Sequence, residues 1–397
     1  MSIAPHGAGT NRFCLVNAGK NKQITKQHRR NQMKFNKWTL GLAAVGVVSL
    51  TSAAYADETK VSQVNTALSN TTLSGYVDVA AQFNPGNGGP GSDFSPNYNF
   101  GATDNSINLN VVDLALDKPL DESPWASGYH VELWIGPDSA ALGTGSDIRQ
   151  AYIALRTPIG NGIDWKIGVW DTIIGYEGTT SGVNPNYSRS FGYNMEPTTH
   201  TGIQGTYKVC DALTVTAGLA DTSFDDGYIA APNTGLYLPT VMGLATLTAP
   251  DSFGWAKGAT LSGGVINTSG SSGATSWYAG VTLPTPVAAL KFGGAFDYLN
   301  ARAGFNDYAF AGYGTYQFND KTSFNVRAEY NDFPGADAAQ EEITTTLQYN
   351  LWENVLTRVE FRWDHADHGL GDPFISHGGF TPNKDAFLLA AQAIYTF

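Results

Sequence analysis

The sequence predicts an all-β fold, a transmembrane antiparallel β-barrel of 16 strands with short turns at one rim and long loops at the other. Three observations carry that expectation. The first is strict alternation, clearest at 354–365. There Val355, Thr357, Val359, Phe361 and Trp363 alternate with Leu356, Arg358, Glu360, Arg362 and Asp364. A strand turns successive side chains to opposite faces, so one face is apolar and the other charged; a 3.6-residue period would scatter both sets around a helix. The second observation is that long and short connections alternate along the chain. The third is an export signal at one end and an aromatic strand at the other.

The export signal comes first in the chain. Residues 33–37 read Met-Lys-Phe-Asn-Lys, an apolar run follows at 38–54, and Ala54-Tyr55-Ala56 is a small-x-small cleavage site. This is the pattern of a secretory signal peptide, with Met33 the expected initiator and cleavage after Ala56. The acidic, polar stretch from Asp57 argues against an uncleaved anchor, and residues 1–32 carry no apolar periodicity. Removing residues 1–56 takes away eight of the 23 Lys and Arg and none of the 35 Asp and Glu, leaving a net charge of −20. Such an acidic exported chain is not a nucleic-acid binder. Cys14 leaves with the leader, and the lone Cys210 permits no internal disulfide, so backbone pairing and packing must hold the fold.

Residues 57–71 place Val61, Val64 and Leu68 at helical spacing, enough for a short tether ahead of a barrel domain at 72–397. Alternating segments then occupy 72–83, 106–117, 128–136, 147–157, 162–170, 200–210, 212–221 and 240–249. The second half continues with 257–267, 275–284, 287–299, 306–318, 321–331, 340–352, 354–365 and 385–397. In the second segment Ile107, Leu109 and Val111 share one parity and Leu114 and Leu116 the other, which predicts a β-bulge near Val112. Connections after even-numbered segments are tight, as at 158–161, Asp211, 284–286, 319–320 and Glu353. Those after odd-numbered segments are long, notably 84–105, 171–199, 222–239 and 366–384. A soluble sandwich gives no reason for such a bias, whereas a membrane barrel has short turns inside and long loops outside. Strands of ~9–11 residues cross hydrocarbon when tilted, and closure removes the edges that lipid does not tolerate. In the last segment Phe387, Leu389, Ala391, Ala393, Tyr395 and Phe397 share one face. Tyr129, Trp165, Trp170, Tyr308, Trp352 and Trp363 lie near strand ends, where interfacial aromatic girdles belong.

The most distinctive stretch is 170–202, WDTIIGYEGTTSGVNPNYSRSFGYNMEPTTHTG. Its Asp171-Thr172, Gly175-Tyr176-Glu177, Asn184, Asn186 to Ser190, Glu196-Pro197 and His200-Thr201-Gly202 resemble the signature of the beta-barrel porin-2 family, the OmpL-like porins. Gly75 to Asp78 and Gln150-Ala151-Tyr152 match more loosely and in the expected order. The resemblance implies an outer-membrane pore of a Gram-negative bacterium, passing small hydrophilic solutes and ions by diffusion through a water-filled lumen narrowed by loop 171–199. It also implies lipid around the barrel and an assembly machinery that reads Tyr395 and Phe397. The strand count is like that of trimeric general porins, with which a homotrimer would be consistent. No particular solute is implied.

Loop 171–199 joins adjacent strands over 29 residues, long enough to expect a function. Folded inward, it would bring Asp171, Glu177, Arg189 and Glu196 towards the opposite wall, at strands 13 to 15. That wall carries Arg327 and Glu329, then Arg358, Glu360, Arg362 and Asp364. Acids facing guanidinium groups across a gap would set up a transverse field that sorts solutes by charge. The same charges could instead neutralise one another within the wall. His365-x-x-His368, with His377, Asp364, Asp367 and Asp372 near it, lacks the helix or closed Cys/His set of a metal site. No cofactor is expected. Neither G-x-S-x-G nor H-E-x-x-H is present, and His200 falls on the opposite parity from Ile203 and Tyr207, so an outer-membrane hydrolase finds no lipid-facing residues. A barrel with an occluded lumen and adhesive acidic loops is the other alternative, and the placement of loop 171–199 discriminates.

Overall fold

The computed structural model describes residues 70–85, 105–142, 147–221, 240–269, 273–302, 304, 306–334, 338–366 and 385–397. The expected tether at 57–69, most of loops 84–105, 222–239 and 366–384, and His368, His377, Asp367 and Asp372 lie outside the described residues. The strands are β1 (Thr72–Phe83), β2 (Ser106–Lys118), β3 (Ser127–Ile135), β4 (Ile148–Thr157), β5 (Ile163–Asp171), β6 (Thr199–Cys210), β7 (Leu213–Ala220) and β8 (Thr240–Thr248). They continue as β9 (Thr260–Thr268), β10 (Ala274–Pro284), β11 (Leu290–Ala301), β12 (Asn306–Gln317), β13 (Thr322–Phe333), β14 (Ala338–Trp352), β15 (Val355–Ala366) and β16 (Asp385–Thr396). One short helix, α1 (Phe191–Met195), interrupts the connection between β5 and β6.

Every strand pairs antiparallel with its sequence neighbours, and β1 pairs with β16 from Tyr76↔Thr396 to Phe83↔Leu389, closing the barrel. Gly75 and Phe397 fasten the seam by exchanging backbone hydrogen bonds of 3.1 and 3.0 Å. Closure leaves no row of unpaired amides for hydrocarbon to meet. Asp78, fully buried inside the wall, adds a side-chain clasp. Its carboxylate accepts from Gln392 Nε2 of β16 at 2.8 Å and from Asn110 Nδ2 of β2 at 3.3 Å.

Alternation fixes the two faces. Val359, Phe361, Leu389 and Tyr395 point outwards and are exposed, while Arg358, Glu360 and Arg362 between them point inwards and are buried. The predicted bulge is present, two residues earlier than expected: Asp78 pairs with Val111 and Val79 with Leu109, so Asn110 is the extra residue. Asn110 and Val111 are both buried inwards, which is the parity change seen in the sequence. Most boundaries fall within two residues of expectation, and the starts of β9 and β11 fall three residues later. β9 starts at Thr260 because Gly258, at φ +77°, turns the chain and donates to Ala249 O at 2.9 Å. The β10–β11 turn runs through to Ala289 because Thr285 Oγ1 accepts from Val287 N and lies 2.9 Å from Leu290 O. Trp170 corrects the girdle expectation. It shares the inward parity of β5, faces the lumen side and is fully buried, whereas Trp165 and Trp363 point to lipid.

These faces predict opposite tolerances along β15. Val359→Arg places a cation on the lipid face near mid-strand, at a cost of about 2–4 kcal/mol. The variant should yield less of the compact, heat-modifiable band in unboiled detergent gels and unfold at lower urea than the unmodified barrel.

Candidate functional site

The connection from β5 to β6 lies inside the barrel. Its first part is apolar, and Ile173, Ile174 and Tyr176 pack against Ala220, Met242, Leu244, Ile266, Tyr278, Ala311 and Tyr313 of the inner wall. Tyr176 stacks on Tyr313 with ring centroids 4.1 Å apart. The chain turns at Gly175, whose φ of +112° and contact with the Glu196 carboxyl exclude a side chain. A second turn is closed by Asn184, which accepts from Gly178 N at 2.8 Å and donates to Gly178 O and Thr180 O at 2.7 and 2.9 Å. Ser190 then caps α1, accepting from Tyr193 N at 3.0 Å. Tyr187 packs on Ala80, Leu388 and Ala390, so the inserted segment reaches from β7 round to the barrel seam.

An irregular segment carries backbone donors and acceptors that need partners once water is excluded. The β13–β15 wall supplies them. Glu360 accepts from Tyr187 N and Ser188 N at 2.5 and 2.9 Å, and Glu329 accepts from Phe191 N and Gly192 N at 2.6 and 2.7 Å. The arginines take the carbonyls. Arg358 donates to Ser181 O at 3.0 Å and to Asn184 O, Arg362 to Arg189 O at 2.6 Å, and Arg327 to Ser188 O at 2.8 Å. Arg327 also bridges Glu177 of the loop, at 2.7 Å, to Glu342 of β14, at 2.5 Å. Arg362 pairs with Asp364 at 2.6 Å and with Glu342 at 3.2 Å. Arg189 folds back on the loop, donating to Tyr187 O and Thr179 O at 2.9 and 2.8 Å.

The predicted loop and wall residues therefore meet directly. Glu177, Arg189, Glu196, Arg327, Glu329, Arg358, Glu360, Arg362 and Asp364 are all buried; Glu177 and Asp364 are matched in contact by Arg327 and Arg362, and Glu329, Glu360 and Arg358 are engaged by loop backbone. Asp171 is placed apart from them, at the end of β5, where Arg149 Nη2 lies 2.5 Å from its carboxylate. Glu196 sits deeper, against Asp297 of β11. Burial first, and the Asp297 carboxylate second, raise its pKa well above the usual carboxylate range. His200 is buried on the inward side of β6, as its parity implies.

Sequence reasoning missed Glu342 and Arg149. Glu342 stands beside Glu341 in the chain, and only register shows which of the two faces Arg327. Arg149 sits at a bulge, where the β3–β4 register shifts between Glu132 and Leu133, so its parity was unreadable. It reaches Glu132 as well as Asp171, and its guanidinium lies 5.2 Å from the Trp134 ring centroid. Trp134 in turn donates to Asp113 at 2.8 Å.

The family described as Putative beta-barrel porin-2, OmpL-like matches residues 70–397, the whole barrel. The chain belongs to this family. Among solved structures, this porin is similar to the anion-selective porin from Comamonas acidovorans, at 13% identity and a TM-score of 0.54 over 82% of this chain and 99% of that one. It is also similar to the outer membrane channel DcaP of Acinetobacter baumannii, at 14% identity and a TM-score of 0.55 over 82% and 97%. OmpT of Vibrio cholerae in its trimer form gives 14% identity and a TM-score of 0.54 over 82% and 99%. Identities this low speak for a shared fold. No curated protein sequence matches the chain significantly. The porin fold, the family and a loop that narrows the lumen together make the chain an outer-membrane porin.

Two outcomes follow from the docking. Arg327→Met leaves Glu177 buried without its cation and Glu342 with Arg362 alone, a loss of about 3–5 kcal/mol. The loop should leave the wall while the ladder stays closed, and single-channel conductance should rise with the heat-modifiable band retained. Glu196 makes docking pH-dependent. Its raised pKa means that the docked loop binds more protons than the released one, so docking is firm in acid and weakens as pH climbs above the ordinary carboxylate range. Current fluctuations recorded between pH 5 and pH 9 should therefore grow with pH, and Glu196→Gln should flatten that dependence.

Proposed function

We propose that this porin lets small hydrophilic solutes and ions diffuse passively across the outer membrane of a Gram-negative bacterium. The observation that carries the reading is the loop, docked inside a closed barrel by buried ion pairs and backbone hydrogen bonds. Such a loop narrows a lumen to a fixed width. In this reading Glu177, Arg189, Glu196, Arg327, Glu329, Arg358, Glu360, Arg362 and Asp364 set that width by holding the loop. Asp171 stands at the end of β5 with its carboxylate held by Arg149.

Residues 33–56 act as the export leader behind an N-terminal extension at 1–32, the tether at 57–71 precedes the barrel, and the short turns lie in the periplasm. Tyr395 and Phe397, exposed at the seam, are the residues offered to the outer-membrane assembly machinery. The trimer form of the similar Vibrio cholerae protein supports three associated barrels here. The porin class speaks against an enzyme, and His200 is turned away from lipid.

Purified protein in planar bilayers should give stepwise, ohmic channels. With a mature net charge of −20, the mouths should favour cations modestly in dilute salt. The preference should fade towards 1 M, where the Debye length is about 3 Å. A folded barrel that conducts no ions would overturn the porin reading.

A further inference from the structure

The inner wall divides into two sectors. From β7 round to β1 the inserted loop covers it, and Asp297, Arg327, Thr346, Arg358, Gln392 and Asp78 are each at most 5% exposed. On β2–β5 the cover is incomplete. There 39% of the Asp117 side chain, 34% of Asp171 and 17% of His130 stay accessible, and Gln150, Tyr152 and Lys166 are partly exposed. Strands β5 and β13 are eight apart in a ring of 16, so the accessible wall stands opposite the wall to which the loop is docked. Solute that passes the loop has this wall beside it.

The charges on the accessible wall are mostly engaged with one another. His130 lies between Asp117 at 3.1 Å and Glu132 at 3.2 Å, Arg149 between Glu132 and Asp171, and Arg156 holds Asp164 at 2.6 Å. Lys166, on the inward parity of β5, differs. It makes no ion pair among the described residues, and its Nζ lies 4.6 Å from the centroid of the Tyr152 ring. Tyr152 stacks in turn on His130, with centroids 5.3 Å apart and planes 22° from parallel. A ring face steadies an ammonium group through its quadrupole but leaves the charge uncancelled and the N–H donors available. A carboxylate partner would have removed both.

We infer that the solute path runs along the β3–β5 wall and that Lys166, seated on Tyr152, is a selectivity residue that draws small monovalent anions through it. This rests on the pore reading. A cation without an ion-pair partner raises the local concentration of anions in a narrow passage, whereas across the barrel Arg327 and Arg362 are paired with carboxylates and Arg358 is covered by the loop carbonyls. Lys166 thus works against the cation preference of the acidic mouths.

The test is the reversal potential across a KCl gradient, measured on single barrels in planar bilayers. Lys166→Gln should shift it towards potassium, Lys166→Glu further in the same direction, and Lys166→Arg should keep the unmodified value. All three should retain the heat-modifiable band and stepwise conductance, because the side chain is partly exposed and holds no other residue in place. A Lys166→Glu channel that conducts with the unmodified reversal potential would sink the assignment and leave the porin reading intact. Absence of any conductance in the unmodified protein would sink the porin reading instead. Should Lys166→Glu fail to assemble, the Gln and Arg pair decides, since equal potentials in the two would also overturn the assignment.

Discussion

An irregular segment of backbone cannot rest inside a protein unless its amides and carbonyls find partners. In this barrel the partners are fixed charges on β13 and β15. Glu329 and Glu360 each hold two consecutive N–H groups, and Arg327, Arg358 and Arg362 hold carbonyls along the same stretch. Hydrogen bonds to charged groups contribute about 1.5–3 kcal/mol each, roughly twice the neutral kind. The ion pairs behind them, Arg327 with Glu177 and Glu342, keep the desolvated charges matched. The loop's position depends on this charged wall.

The loop is asymmetric in chemistry as well as position. Its leading residues, Ile173, Ile174 and Tyr176, form a hydrophobic core with the inner wall of the barrel. That core needs room, and Gly293 of β11 supplies it, since a Cβ there would stand 1.9 Å from the Tyr176 hydroxyl. The later residues, from Ser181 to Gly192, are held by polar contacts. Apolar packing near β7–β12 and hydrogen bonding along β13–β15 therefore anchor two different stretches of one segment. The wall at β2–β5, which lacks both kinds of cover, keeps its own pairs and its partly exposed Lys166.

The outer surface answers to a different solvent. Exposed Val359, Phe361, Leu389 and Phe310 would be liabilities in water and are the expected finish of a wall facing hydrocarbon. Indole N–H groups on this surface find local partners, Trp165 in Thr157 at 2.9 Å and Trp363 in Asp385 at 2.9 Å. Such rings carry an apolar body and a polar edge, which suits the headgroup zone.

The sequence by itself determined the barrel. A period of two is a local property, and each strand declares its apolar face without reference to its neighbours, so sixteen strands and the inward parity of Arg358, Glu360 and Arg362 were legible. Long and short connections are equally local, and they placed the loops at one rim. Where local pattern breaks, legibility ended: bulges at Asn110 and Arg149 hid the parity of the residues beside them. Trp170 likewise read as an interfacial ring until its strand register turned it inwards. Only the tertiary structure decided that Glu177 meets Arg327, 150 residues away, and that Glu360 receives the amides of Tyr187 and Ser188. The loop has no periodicity to read, and its path is set by partners on strands that the chain has yet to reach.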